Sequence, residues 1–243
     1  MRRRVLIGSA LALTGVAAGA VARPCLELRS RVQSARALNR SGLAYEQLGN
    51  RTEAVLVVGD STARGAGAAR PQESLAGRIG AALPDARLIN RGRDGACFAD
   101  VVDQLRSAPA LPYRFVLISA GANDVLQMTA PAQARQDAEQ AIALAQRLAE
   151  DVVLMTVPNV GHAPLLPWPF NRFYSQRARA VFERLRGLGE RPGVSLVRLF
   201  YDRPHDPFAR EPDRYLASDG LHPSSDGYAL WFSELRRAAP HLV

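Results

Sequence analysis

The sequence predicts an α/β fold, a three-layer arrangement in which a parallel sheet of about five strands carries helices on both faces. Two observations carry that reading. After Arg51, apolar runs of strand length alternate with longer segments of helical period. Runs such as Val55-Leu56-Val57-Val58 have no polar face, as expected of a strand covered on both sides, and strands that alternate with helices pair in parallel.

Taken in chain order, the first strand spans 54–58 and is wholly apolar. A helix at about 72–83 leads to a second strand at 87–89, and a helix at 98–105 leads to a third at 115–119. The helix of clearest length, 131–150, precedes a fourth strand at 152–157. A helix at 172–188 precedes a fifth strand at 195–199, and a last helix covers 224–238. In parallel sheets of this kind ligands bind beyond the carboxyl ends of the strands, so the loops that follow strands are where function is expected.

Upstream of this repeat, Arg2-Arg3-Arg4 is followed by an apolar stretch from Val5 to Ala22 that closes on Ala20-Val21-Ala22. A positive start, an apolar centre and small residues in an A-x-A arrangement are the marks of an export signal, with cleavage expected after Ala22. The same stretch is long enough for a marginal membrane anchor, and both alternatives place the domain outside the cytoplasm. Residues 23–51, rich in arginine, read as a helical linker or stalk, which leaves 52–243 as one catalytic domain. The two cysteines, Cys25 and Cys97, are expected as two thiols, although an exported chain could bridge them.

The formal charge of +8 arises from 31 basic and 23 acidic residues, and every basic residue is arginine. Without lysine the chain has no amine for Schiff-base chemistry and no phosphate-loop lysine. The arginines are scattered and no aromatic-basic module joins them, so a nucleic-acid partner is not expected.

Four post-strand segments carry chemistry. Gly59-Asp60-Ser61 follows the first strand and offers a serine at the active edge, although Gly-Asp-Ser is also an ordinary turn sequence. The G-x-S-x-G elbow is absent because Ala63 stands at its second glycine. Asn90-Arg91-Gly92-Arg93-Asp94-Gly95 follows the second strand, and its glycines permit close backbone approach to a ligand. Gly121-Ala122-Asn123-Asp124 follows the third and supplies an amide suited to a developing oxyanion. Asp219-Gly220-Leu221-His222 precedes the last helix, with a spacing that lets a carboxylate orient an imidazole.

In this order the segments resemble the SGNH or GDSL-like hydrolase superfamily. The resemblance covers roughly residue 53 to the end, and Thr62 departs from it where the namesake motif has leucine. It implies a flavodoxin-like sheet, Ser61 as nucleophile, His222 as base and Asp219 as its orienting acid. It also implies an oxyanion hole from the backbone N–H groups of Ser61 and Gly95 and the side chain of Asn123, with Gly92 the alternative to Gly95. The implied reaction is cleavage of a carboxylic ester through an acyl-enzyme, with no cofactor and no metal. The alternative is an O-acetylesterase or acyltransferase acting on envelope or extracellular glycans, and the third reading is a non-catalytic binding module. The expected partner is accordingly a small ester or an acylated glycan.

Of the remaining candidates, His162, His205 and His241 show no partner pattern, and Asp202, His205 and Asp206 make only a thin case for a metal. Asp124 reads as a loop brace. The segment 164–170 follows the fourth strand, so Trp168 and Phe170 are candidates for substrate contact, against the alternative of a Pro-stiffened packing loop.

Overall fold

The computed structural model describes residues 44–49 and 54–243. The expected export signal, Cys25 and most of the expected linker lie outside the described residues. The part of that linker which is described, 44–49, is not helical; it runs beside the sheet, and Gln47 forms an antiparallel bridge with Leu88.

Five strands form a single parallel sheet: β1 (Ala54–Gly59), β2 (Arg87–Asn90), β3 (Tyr113–Ser119), β4 (Asp151–Met155) and β5 (Val194–Val197). Their spatial order is β2-β1-β3-β4-β5, the doubly wound flavodoxin-like order whose direction reverses between β1 and β3. Alternation along each strand divides the core. Ala54, Leu56 and Val58 of β1, Val116 and Ile118 of β3, and Val152 and Leu154 of β4 face one side. Val55 and Val57, Phe115 and Leu117, and Val153 and Met155 face the other.

Helices α3 (Phe98–Arg106), α5 (Pro131–Ala145) and α6 (Phe170–Leu185) cover the first face, through Phe98, Val101, Ala138, Ile142, Val181 and Leu185. Helices α2 (Leu75–Ala82) and α9 (Ser225–Ala238) cover the second, through Leu75, Ile79, Tyr228, Trp231 and Leu235. Four short helices, α1 (Ser61–Arg64), α4 (Ala122–Leu126), α7 (Pro207–Arg210) and α8 (Pro212–Tyr215), lie in the connections. The expected fifth strand ends at Val197 rather than 199, because the Leu199 N–H turns to the Thr156 hydroxyl at 2.7 Å instead of to the ladder. Among the described residues no helix is long and apolar enough to cross a membrane.

Candidate active site

The loops after β1 and β3 flank the point where the strand order reverses, and both carry expected site residues. Gly59 ends β1 at a φ of 142°, and a Cβ there would come within 1.9 Å of the Ser119 carbonyl. Only glycine permits that approach. The buried Gln104 amide clamps the same residue from α3: it accepts from the Gly59 N–H at 2.7 Å and donates to its carbonyl at 2.9 Å. Asp60 then caps α1, accepting from the Thr62 N–H at 2.8 Å, which fixes Ser61 as the first residue of a helical turn. Burial pushes the Asp60 carboxyl up, opposed by the Thr62 hydroxyl and amide and by the charge of His222. Thr62 has a use for its hydroxyl: it donates to Asp60 at 2.6 Å and lies 2.9 Å from the Ser119 hydroxyl.

Residues 216–223 form a compact return closed by the Leu216–Pro223 bridge and the Ala217 N–H to His222 carbonyl bond at 2.8 Å. Within it one Asp219 oxygen accepts the Leu221 and His222 N–H groups at 2.9 and 3.0 Å, and the other meets His222 Nδ1 at 2.6 Å. Burial pushes this carboxyl up, but the hydrogen bond and charge of His222 and the two amides outweigh it and hold Asp219 below the usual carboxylate range. A carboxylate at Nδ1 requires the proton there, so Nε2 presents a lone pair. It lies 2.9 Å from Ser61 Oγ. The return can pack this closely because Gly67 leaves room: a Cβ there would come within 2.4 Å of the Pro223 carbonyl and 2.9 Å of His222 Cβ. The Tyr228 hydroxyl ties α9 to the same turn by donating to the Ala66 carbonyl at 2.7 Å.

The β2 and β3 loops are joined to each other. Asn123 Nδ2 donates to the Ala96 carbonyl at 3.2 Å, Gln127 Nε2 to the Gly95 carbonyl at 2.8 Å, and the Phe98 N–H to Asp124 at 3.1 Å. Asp124 is thus the loop brace that the sequence suggested. Its second oxygen is buried without a partner among the described residues, and burial raises its carboxyl to about 6. Asn123 retains one N–H beyond the bond to Ala96 and lines the cleft together with Ser61 and His222. Of the two glycines, Gly92 donates its N–H to the Asn90 side chain at 2.9 Å. The Gly95 N–H has no partner among the described residues. Gly95 is not itself part of the cleft wall.

Cys97 caps α3 beside this loop, and burial together with Asp124 and Asp100 pushes its thiol up to about 12.

The rest of the cleft is largely apolar, with Leu126, Val160, Leu199, Leu221 and Trp231 in its wall. Trp168 and Phe170 do not line it. Trp168 is 76% exposed, and Phe170, the first residue of α6, is half-buried outside the cleft wall. A second correction concerns His162, which does have a partner. Its Nδ1 meets Asp206 at 2.6 Å, its Nε2 meets Asn159 Nδ2 at 3.1 Å, and all three residues line the same cleft. Asp206 is therefore paired with His162, and among the described residues no group of three or more His, Cys, Asp or Glu side chains is gathered as a metal site would need. The signal was available in the sequence: Asn159-x-x-His162 follows a strand, with the same spacing as Asp219-x-x-His222.

Residues 57–230, well over half of the chain, match the model of the GDSL-like lipase/acylhydrolase family. No curated protein sequence gives a match. Among solved structures, a GDSL-like lipase from Bacteroides thetaiotaomicron aligns with a TM-score of 0.61 at 17% identity, over 89% of this chain and 98% of that one. A lipase/acylhydrolase from Enterococcus faecalis aligns at 0.58 and 23%, over 79% and 96%. An acetylxylan esterase from Geobacillus stearothermophilus aligns at 0.52 and 20%, over 76% and 93%. At these identities the likeness establishes the fold.

Proposed function

The chain belongs to the GDSL-like lipase/acylhydrolase family, and on that premise we propose that it is an exported serine hydrolase that cleaves carboxylic esters through an acyl-enzyme on Ser61. The observation that carries this is the continuous path from Ser61 Oγ through His222 to Asp219, at 2.9 and 2.6 Å, on the wall of an apolar cleft.

In the first half-reaction His222 Nε2 takes the Ser61 proton as Oγ bonds to the ester carbonyl carbon. The carbonyl π pair moves onto oxygen, where the Ser61 N–H and the remaining Asn123 N–H receive it; the Gly95 N–H, in the adjoining loop and unpaired among the described residues, is the third donor of this reading. Collapse re-forms the carbonyl and breaks the bond to the alcohol oxygen, which leaves with the proton from His222. Water then repeats the sequence on the acyl-enzyme and regenerates Ser61. Asp219 keeps the Nδ1 proton in place and stabilises the imidazolium that forms transiently. The apolar wall suits an acyl chain.

Turnover of a short-chain chromogenic ester tests the assignment: it is expected in the wild type and lost in folded Ser61→Ala and His222→Ala. Variants that hydrolyse as fast as the wild type contradict it. The second reading is an O-acetylesterase or acyltransferase on glycans, supported by the structural likeness to an acetylxylan esterase; release of free acetate from acetylated glycans distinguishes it. Residues 1–22 act as signal or anchor in either case, and N-terminal sequencing of the exported protein decides between cleavage and retention.

A further inference from the structure

We infer that Asn159 is a recognition site for a hydroxyl group that the substrate carries beside its scissile ester, so that the preferred substrates are partial esters of polyols rather than esters of simple alcohols. The inference rests on the serine-hydrolase reading above and specifies its substrate class.

The side chain of Asn159 can be oriented from its neighbours. Asp206 Oδ2 lies 2.6 Å from His162 Nδ1, so the Nδ1 proton points at the carboxylate and Nε2 is an acceptor. The Asn159 nitrogen faces that acceptor at 3.1 Å and the Tyr201 carbonyl at 3.4 Å. Turning the amide over would set its oxygen against two acceptors, so the nitrogen belongs on this side. The oxygen is left at the other end. It is buried and without a partner among the described residues, in a residue that is only 7% exposed and belongs to the wall holding Ser61 and His222.

Every other polar group in this row is satisfied. The second Asp206 oxygen caps α7 by accepting the Phe208 N–H at 3.0 Å, which seats the carboxylate firmly. The row therefore ends in a single buried and unpaired acceptor, in a residue of the cleft wall whose nitrogen is held by His162 and the Tyr201 carbonyl. Buried acceptors are rarely left unpaired, because the lost hydration is not recovered. An arriving hydroxyl supplies the missing donor, whereas a plain alkyl group would keep the acceptor unpaired. A site of this kind discriminates against the analogue that lacks the hydroxyl. The row has no role as a second base, since His162 Nε2 is already engaged by the amide and Asn159 has no basic atom. Its role is recognition.

Glyceryl monobutyrate and propyl butyrate make the test, since they share the acyl group and a three-carbon alcohol and differ in two hydroxyls. Wild-type enzyme is expected to favour the glyceryl ester by about tenfold in kcat/KM, chiefly through KM. In Asn159→Leu the preference should fall to within about twofold, and in His162→Phe, where the amide is free to turn, to an intermediate value. Melting curves establish that each variant is folded, and Asn159→Ala replaces the leucine variant if it is not.

Equal efficiency on the two esters in the wild type overturns the assignment while leaving the hydrolase reading intact. A preference that survives loss of the Asn159 side chain overturns it too. Failure of the wild type to hydrolyse either ester overturns the hydrolase reading itself, and the recognition site with it.

Discussion

Two histidine–aspartate pairs face the same cleft, and their internal geometry is nearly the same. His222 meets Asp219 and His162 meets Asp206, each at 2.6 Å through Nδ1, and all four side chains are more than nine-tenths buried. What differs is the group at the far nitrogen. Nε2 of His222 faces the Ser61 hydroxyl, which can give up its proton and attack, whereas Nε2 of His162 faces an amide nitrogen, which can only donate a hydrogen bond. The carboxylate–imidazole pair is thus a means of fixing an imidazole. Whether it serves proton transfer or substrate recognition is decided by the third residue.

The sharpest way to break that comparison is to treat the two carboxylates alike. Asp219→Asn should lower kcat on a short-chain ester by about 10³- to 10⁴-fold, because the wrong tautomer of His222 is then favoured. Asp206→Asn should cost no more than about tenfold, since that pair only seats Asn159. Steady-state kinetics of both folded variants decide the matter, and equal losses would refute the division of roles.

A smaller effect is expected from Asn123→Ala. Removal of one oxyanion donor should cost about 10²-fold in kcat with little change in KM, and a loss confined to KM would remove Asn123 from the oxyanion site.

The smallest effect concerns Asp124, the brace behind Asn123, and is read in stability. Burial holds its folded carboxyl at about 6, above the ordinary aspartate value of 3.8, so the folded state holds this proton more tightly than the unfolded one. The protonated form therefore suits the fold at low pH. Stability is lost as the pH rises between about 4 and 6 and stays lost above, to an extent of about 1–3 kcal/mol. Asp124→Asn cannot ionise. Its melting temperature should exceed that of the wild type at pH 8, with the gain vanishing near pH 4, and a difference independent of pH would contradict the assignment.

Much of the fold and the serine side of the cleft was legible because the signals are local. β1, β3 and β4 are apolar on both faces, and Ser61, Asn123 and the Asp219-His222 pair each occupy one short segment. The helices α1 and α4 were not legible, since a single turn has no period to detect. The recognition row was missed for another reason. His162 and Asp206 are 44 residues apart, and only the parallel packing of β4 beside β5 brings their following loops together. Trp168 and Phe170 were expected at the cleft from their place after a strand, but neither is part of its wall and Trp168 is exposed. Position after a strand identifies the edge of the sheet, whereas the direction of a side chain depends on contacts that are distant in sequence.

The central claim, that Ser61 is the nucleophile and His222 activates it, is tested most directly by intact-mass measurement after treatment with a p-nitrophenyl alkylphosphonate. The prediction is one adduct per chain, located at Ser61, absent from Ser61→Ala and strongly slowed in folded His222→Ala. No adduct on the wild type, or an adduct that persists in Ser61→Ala, would contradict it.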